Sequence, residues 1–316
     1  MKRFIIKVFL YSVAAWVVAA ALDITVCSGL LKMEDYRFQD YSAMLKGGMS
    51  HDVLIMGNSR GKSHYDTAII DSLENVSSFC IGVGGYPFPV QLLKYHLYRE
   101  HNLKPSIIIQ DIDYGCFCPI NDIRHQHQSE QFFPLIYDSL MRRELKHLGY
   151  GFRELNIPFY RMFGYQQVIK NGLLEALHFK HYVSWPAYKG HRPEDGDWDG
   201  TELRKKGIDT IRLNSPINPL FEDYMANNMT DSIKVVLVYS PTYYEAQNTL
   251  LGLDSLRVYF AKTAERYGMN YLDYLDSPIT LDSNNFCVAV HMNPNATKVF
   301  TESLCHDLTD RLPIVP

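Results

Sequence analysis

The sequence predicts an α/β fold with a mainly parallel sheet. Two observations predict it: short, largely apolar runs recur without the polar alternation of a half-solvated strand, and stretches with helical apolar spacing follow several of them. Val53 to Met56 is the first such run, and Gly57-Asn58 closes it. Ser78 to Ile81 is the second, ending in Gly82-Val83-Gly84-Gly85, after which Val90, Leu93 and Leu97 mark one face of a helix. Ser106 to Ile112 is the third strand, and Ile233 to Val238 the fourth, stopping at Tyr239-Ser240-Pro241. Leu253, Leu256, Phe260 and Ala264 share a helical face, and Gly268 suits the residue that ends that helix. Met269 to Leu272 is a short fifth strand. Asn293 then caps a last helix, with Pro294 at its first position and Phe300, Leu304 and Leu308 as its buried stripe.

Between the third and fourth strands the chain from Tyr114 to Ser232 is far longer than a crossover connection and must carry its own structure. Helical patterns near Gln131 to His147 and Tyr160 to Phe179, followed by a polar stretch from Lys189 to Gly207, predict a helical insertion that covers the site. The expected organisation is an anchor over 1–27, a connector over 28–50, an α/β domain from 51–113 and 233–316, and an insertion or lid over 114–232.

The anchor is expected because Met1-Lys2-Arg3 precedes an apolar stretch from Phe4 to Leu22, broken only by Lys7 and Ser12. A spanning helix needs about 20 apolar residues. Lys2, Arg3 and Lys7 lie on its amino-terminal side, which the positive-inside rule keeps in the cytoplasm, so the rest is expected outside, periplasmic or at the cell surface. Ala19-Ala20-Ala21 offers small residues for a signal peptidase; an uncleaved signal anchor is favoured over a cleaved signal peptide because the run is long, and a buried soluble helix is the weakest of the three readings. Six cysteines show no disulfide or zinc spacing, which leaves buried thiols as the expectation.

The 316 residues, 47% hydrophobic and 21% charged, suffice for a sizeable core. A net charge of -4 with interspersed signs sets nucleic-acid binding aside. Asp195-Gly196-Asp197-Trp198-Asp199-Gly200 opens like a calcium loop, but Lys206 stands where the bidentate Glu belongs, and the histidine pairs His125/His127 and His178/His181 lack a third ligand. The Gly82 to Gly85 cluster lacks the dinucleotide spacing, so neither metal nor cofactor is expected.

Gly57-Asn58-Ser59 reads equally as turn chemistry or as a strand end that presents a nucleophile, since ligands of open α/β sheets bind beyond the carboxyl ends of the strands. A serine hydroxyl needs a base, and His291, before the last helix, falls on the same sheet edge. Backbone amides at Ser59 and in the loop from Gly82 to Gly85 are the expected oxyanion donors. Tyr86, Tyr114, Tyr243 and Tyr244 follow predicted strands, where packing is the first expectation and sugar stacking the second.

Gly57-Asn58-Ser59-Arg60, Gly82 to Gly85 and His291-Met292-Asn293-Pro294-Asn295 together resemble the blocks of the SGNH (GDSL-type) hydrolases, and within them the membrane-anchored, exported branch of D-alanyl-transfer and alginate O-acetyltransferase-like proteins. The resemblance covers roughly residues 50 to 115 and 232 to 312 and implies a three-layer flavodoxin-like domain. It also implies an esterase or O-acyltransferase, with Ser59 as nucleophile, His291 as base, and an acyl ester of a cell-surface glycan as substrate. Two positions depart from the family pattern. Val288 stands where the aspartate three residues before the histidine belongs, so Asp282 or Asp113 is the expected substitute; the oxyanion asparagine after the third strand is replaced by Gln110-Asp111-Ile112-Asp113, leaving Gln110 as the expected donor. These departures also admit a catalytically impaired member that binds glycan or serves as an accessory protein.

Overall fold

The structure is a computed structural model that describes residues 1–311 except positions 121, 185, 186, 197, 206 and 214. It divides into two units, residues 1–46 with 120–186, and 47–119 with 187–316.

The second unit is the α/β domain. Strands β1 (Val53–Met56), β2 (Ser78–Cys80), β3 (Ile107–Asp111), β4 (Lys234–Tyr239) and β5 (Asn270–Asp273) form one sheet in the order β2-β1-β3-β4-β5, every neighbouring pair parallel. This is the flavodoxin-like order. All four residues of β1 are buried, as a strand covered on both faces requires. On one face Val53, Ile55, Ile107, Ile109, Val236 and Val238 pack with Ile70, Phe300 and Leu304. On the other, helices Phe88–His101, Asn218–Thr230 and Leu253–Arg266 contribute Phe88, Phe221, Tyr224 and Phe260, whose rings meet edge to face. The result is three layers.

Parallel neighbours need a crossover, and between β1 and β2 it is the helix Thr67–Glu74, which the sequence reading passed over. Its signal is the cap: Asp66 accepts hydrogen bonds from the amides of Ala68 and Ile69. Only Thr67 and Ile70 are fully buried, too few to give a visible periodicity.

The first unit is built on the helix Lys2–Leu30, whose Val26, Cys27 and Leu30 pack with Met33, Phe38, Phe133 and Met162. Gly29 meets the helix Gln166–Ala176 backbone to backbone, since a Cβ on Gly29 would lie 1.8 Å from the carbonyl oxygen of Gly172. The predicted helix over 131–147 is two elements: a 3-10 segment Ser129–Tyr137 containing Pro134, then an α-helix Ser139–His147 capped by Asp138. Proline removes a helix donor and clashes with the preceding turn, which separates them. The pattern over 160–179 likewise divides into Tyr160–Met162 and Gln166–Ala176, with Gly164 at φ +90° between them.

Residues 187–232, expected within the insertion, fold with the sheet instead. The Cys80 amide donates to the Lys189 carbonyl at 2.8 Å and the Arg192 amide to the Lys62 carbonyl at 3.0 Å, so this segment is tied to β2 and to the turn after β1. Of the calcium-like stretch, Asp199 caps the Thr201 amide, while Asp197 and Lys206 lie outside the described residues.

Candidate active site

The turn that leads into Ser59 is set by Gly57, at φ +151°, where a Cβ would lie 2.8 Å from Asp111 Cβ and 2.9 Å from Gly61 Cα. Only glycine fits there. The next residue, Asn58, caps the short helix Ser59–Ser63: its Oδ1 accepts from the Arg60 amide at 3.0 Å and its Nδ2 donates to Asp113 Oδ2 at 2.8 Å. Ser59 is thereby fixed as the first helical residue.

His291 arrives from the far end of the chain on a two-residue strand, His291–Met292, that pairs back onto Phe286–Val288. Beyond it the Asn293 side chain accepts from the Ala296 amide at 3.0 Å, the predicted cap. Ser59 Oγ and His291 Nε2 are 2.8 Å apart. The other ring nitrogen, Nδ1, lies 2.7 Å from Glu194 Oε2. At that distance the pair is in close contact but not aligned as a hydrogen bond, the kind of geometry that tightens when a site takes up its substrate. Burial opposes ionisation of Glu194, but His291 and then Arg192 outweigh it and hold the carboxyl below the usual glutamate range. An ionised carboxylate on Nδ1 selects the tautomer that leaves Nε2 free to take the serine proton.

Sequence reasoning missed Glu194. Val288, three residues before His291, sits opposite it in the hairpin register and has no carboxylate to offer. The carboxylate at Nδ1 comes from the polar stretch after Lys189, held in place where the Arg192 amide bonds Lys62 of the helix Ser59–Ser63. No fixed spacing links Glu194 to His291, and only its place two residues after the Arg192–Lys62 hydrogen bond distinguishes it.

The other expected residues lie elsewhere. The Asp282 carboxylate caps the turn Ser283–Asn285 by accepting from the Asn284 amide, not from His291. Asp113 accepts from Asn58 Nδ2 and from the Cys116 amide and lies 3.4 Å from Arg60 Nε, so it braces the turn before Ser59. Gln110 is fully buried in β3, donating to Gln91 Oε1 and the Asp111 carbonyl, and supplies no oxyanion donor. Gly82 packs under the helix Ser59–Ser63, where a Cβ would come within 2.6 Å of the Lys62 nitrogen, and Gly85 makes a turn at φ +77°. Gly84 is the loop residue that meets Ser59, its Cβ position 3.9 Å from Ser59 Cβ. The Ser59 amide, a first-turn donor with no helical partner, and the Gly84 amide are the candidate oxyanion donors.

Beneath the turn lies a buried charge network. Arg60, 3% exposed, lies 3.5 Å from Asp111 and 3.4 Å from Asp113 through Nε, and donates to Thr242 Oγ1 and the Ile112 carbonyl. Asp111 also accepts from the Tyr65 hydroxyl at 2.7 Å. A guanidinium so partnered ties the ends of β1, β3 and β4 together under Ser59, and removal of either partner leaves a buried charge uncompensated.

A second histidine, unremarked in the sequence, positions the first. His64 Nε2 accepts from the Met292 amide at 3.1 Å, so Nδ1 carries the proton and donates to Ser240 Oγ at 2.9 Å. Burial, then Arg60 and His291, push its pKa well below 6.5. The unfolded chain therefore takes up a proton that the fold refuses. Stability is complete above about pH 6.5 and falls as pH drops below it, with a contribution from His64 of up to about 1.4 kcal/mol per pH unit. Urea midpoints measured from pH 7.5 to 5 are expected to decline less steeply in His64→Gln than in the parent; equal slopes would remove His64 from this role.

A cavity of about 200 Å³ opens beside Ser59, walled by Asp113, Tyr114, Tyr239, Leu253 and Val290. Tyr114 also lines a neighbouring cavity of about 400 Å³ with Tyr259, Asn218, Asp209 and Arg212. Of the four tyrosines singled out in the sequence, Tyr114 is the one in the wall at Ser59; Tyr86 is buried, and Tyr243 packs against Trp198.

No family model matches the chain, and no curated protein does. Solved structures similar to it include an active-site mutant of a family two carbohydrate esterase from Clostridium thermocellum, at TM-score 0.38 and 10% identity, covering 85% of this chain and 66% of that one. A putative acylhydrolase from Bacteroides fragilis aligns at TM-score 0.35 and 13% identity, covering 86% of this chain and 94% of that one. At this level of similarity neither assigns an activity.

Proposed function

We propose that this chain is a membrane-anchored serine esterase or O-acyltransferase of SGNH type that works outside the cytoplasm on acyl esters of a cell-surface glycan. The observation that carries the reading is the 2.8 Å contact between Ser59 Oγ and His291 Nε2, with Glu194 behind the imidazole. Ser59 Oγ attacks the ester carbonyl while Nε2 takes its proton; the tetrahedral intermediate collapses as the imidazolium returns that proton to the leaving sugar oxygen. The acyl-serine then passes its acyl group to water or to a second hydroxyl, activated by the same nitrogen. Backbone amides of Ser59 and Gly84 hold the developing oxyanion.

The cavity volumes favour a short acyl group at Ser59, with the sugar part of the substrate lying past Tyr114 in the larger space. The apolar helix Lys2–Leu30 has an 18-residue window of mean hydropathy 2.1 and is long enough to cross a bilayer. With Lys2, Arg3 and Lys7 on the cytoplasmic side, the catalytic unit is exported. The purified chain, supplied with an O-acetylated oligosaccharide, is expected to release acetate, or to move it to an added unacetylated oligosaccharide. A folded chain that binds the oligosaccharide but cleaves neither it nor an aryl acetate would establish instead the impaired, glycan-binding alternative.

A further inference from the structure

The helix Lys2–Leu30 changes character at Asp23. Residues before it are bare: Phe4, Phe9, Tyr11, Trp16 and Val18 are each more than half exposed. Asp23 itself is fully buried, and it is gripped by three groups of the first unit: Arg161 through both guanidinium nitrogens at 2.5 and 2.9 Å, the Phe159 amide at 2.7 Å and the Tyr137 hydroxyl at 3.0 Å. From Phe4 to Leu22 a helix rises about 29 Å, close to the hydrocarbon thickness of a bilayer. When that stretch spans, Asp23 stands at the membrane boundary, and whatever holds Asp23 stands at headgroup level with it.

The surface around that clasp carries exposed aromatic and apolar side chains, and Arg124, His125 and Glu154 share the groove that Tyr160, Arg161 and Phe163 line. Phe163, two residues past Arg161, is 88% exposed; Tyr137 is 50% exposed, Ile157 and Tyr160 40% each. Arg153, itself exposed, lies over the Tyr160 ring at 5.9 Å. Aromatic rings interleaved with arginine suit the water–bilayer boundary, where the ring is buried among acyl carbonyls and the guanidinium meets phosphate. We infer that this collar of Tyr137, Ile157, Tyr160 and Phe163 docks on the outer surface of the same bilayer that the helix spans, with the Asp23–Arg161 pair fixing its depth. The inference rests on the anchor reading and adds that the first unit lies on the membrane rather than hanging from it.

Phe179 supplies an internal control. It is 76% exposed, but it follows Ala176, whose backbone lies against Gly29, six residues and about 9 Å of helix past Asp23. The test uses the full chain with exposed Cys118 replaced by serine, reconstituted in vesicles of phosphatidylcholine and phosphatidylglycerol, with a bimane label at Phe163→Cys, Tyr160→Cys, Phe179→Cys or Trp16→Cys. Lipids brominated on the acyl chain are expected to quench the labels at 16, 160 and 163 at least twofold more than the label at 179. Quenching at 16 with labels at 160 and 163 no more quenched than 179 would overturn the docking while leaving the anchor intact. An unquenched label at 16 would overturn the anchor reading, and the docking with it.

Discussion

Ser59→Ala lowers the turnover of an acyl ester by about 10⁴- to 10⁶-fold, and His291→Ala does nearly the same, while the double variant is scarcely worse than either. The non-additivity follows from the 2.8 Å contact between Ser59 Oγ and His291 Nε2: a serine that cannot lose its proton and an imidazole without a nucleophile fail at the same step. Steady-state rates on an aryl acetate, with circular dichroism to show that each variant folds, make the check. Ser59 is at the surface end of its helix and carries none of the buried charge network, so the alanine variant is expected to keep its parent's thermal midpoint. Additive losses, or a Ser59→Ala chain that keeps more than about a hundredth of the parent rate, would place the chemistry elsewhere.

Glu194→Gln carries the second large effect, a fall in kcat of about 10² to 10⁴ with KM little changed. The amide keeps the size of the side chain but turns a donor towards Nδ1 or offers a neutral oxygen, so neither the tautomer nor the developing imidazolium is stabilised as before. Asp282→Asn and Val288→Asp separate this from a generic loss of charge. Asp282→Asn leaves kcat nearly unchanged because that carboxylate holds the turn Ser283–Asn285. Val288→Asp, placed in Glu194→Gln, is expected to restore part of the rate, since the position faces His291 across the hairpin. The acid limb carries its own sign: a carboxyl held below the usual glutamate range is ionised well into acid, so the Glu194–His291 attraction is present above about pH 4.5 and is lost as pH falls through the lowered value.

The sheet was legible because it is written in local terms. Strands β1 to β3 and all of β4 but its first residue are buried on both faces, β5 buries Leu272, and the boundaries shift by only a residue or so. Ser59 and His291 were legible for the same reason: each sits beside a local signal, the Gly57-Asn58 turn and the Asn293-Pro294 cap, that fixes where its side chain emerges. What stayed hidden depends on contacts between distant segments. Glu194 meets His291 only because the segment after Lys189 bonds β2 and the nucleophile helix, and a polar run shows no such tie. His64 reads as one histidine among twelve until the Met292 amide is found on its ring. Asp113 and Gln110 stand at the right sheet edge in sequence, but a neighbouring guanidinium and a neighbouring glutamine claim them.

Covalent labelling addresses the nucleophile without needing the natural substrate. A fluorophosphonate probe incubated with the purified full-length chain in detergent, followed by peptide mass spectrometry, should find the adduct on Ser59, should find none in Ser59→Ala, and should find labelling slowed at least tenfold in Glu194→Gln. A folded chain left unlabelled, or labelled equally well in the Ser59→Ala variant, would contradict a Ser59–His291–Glu194 active site.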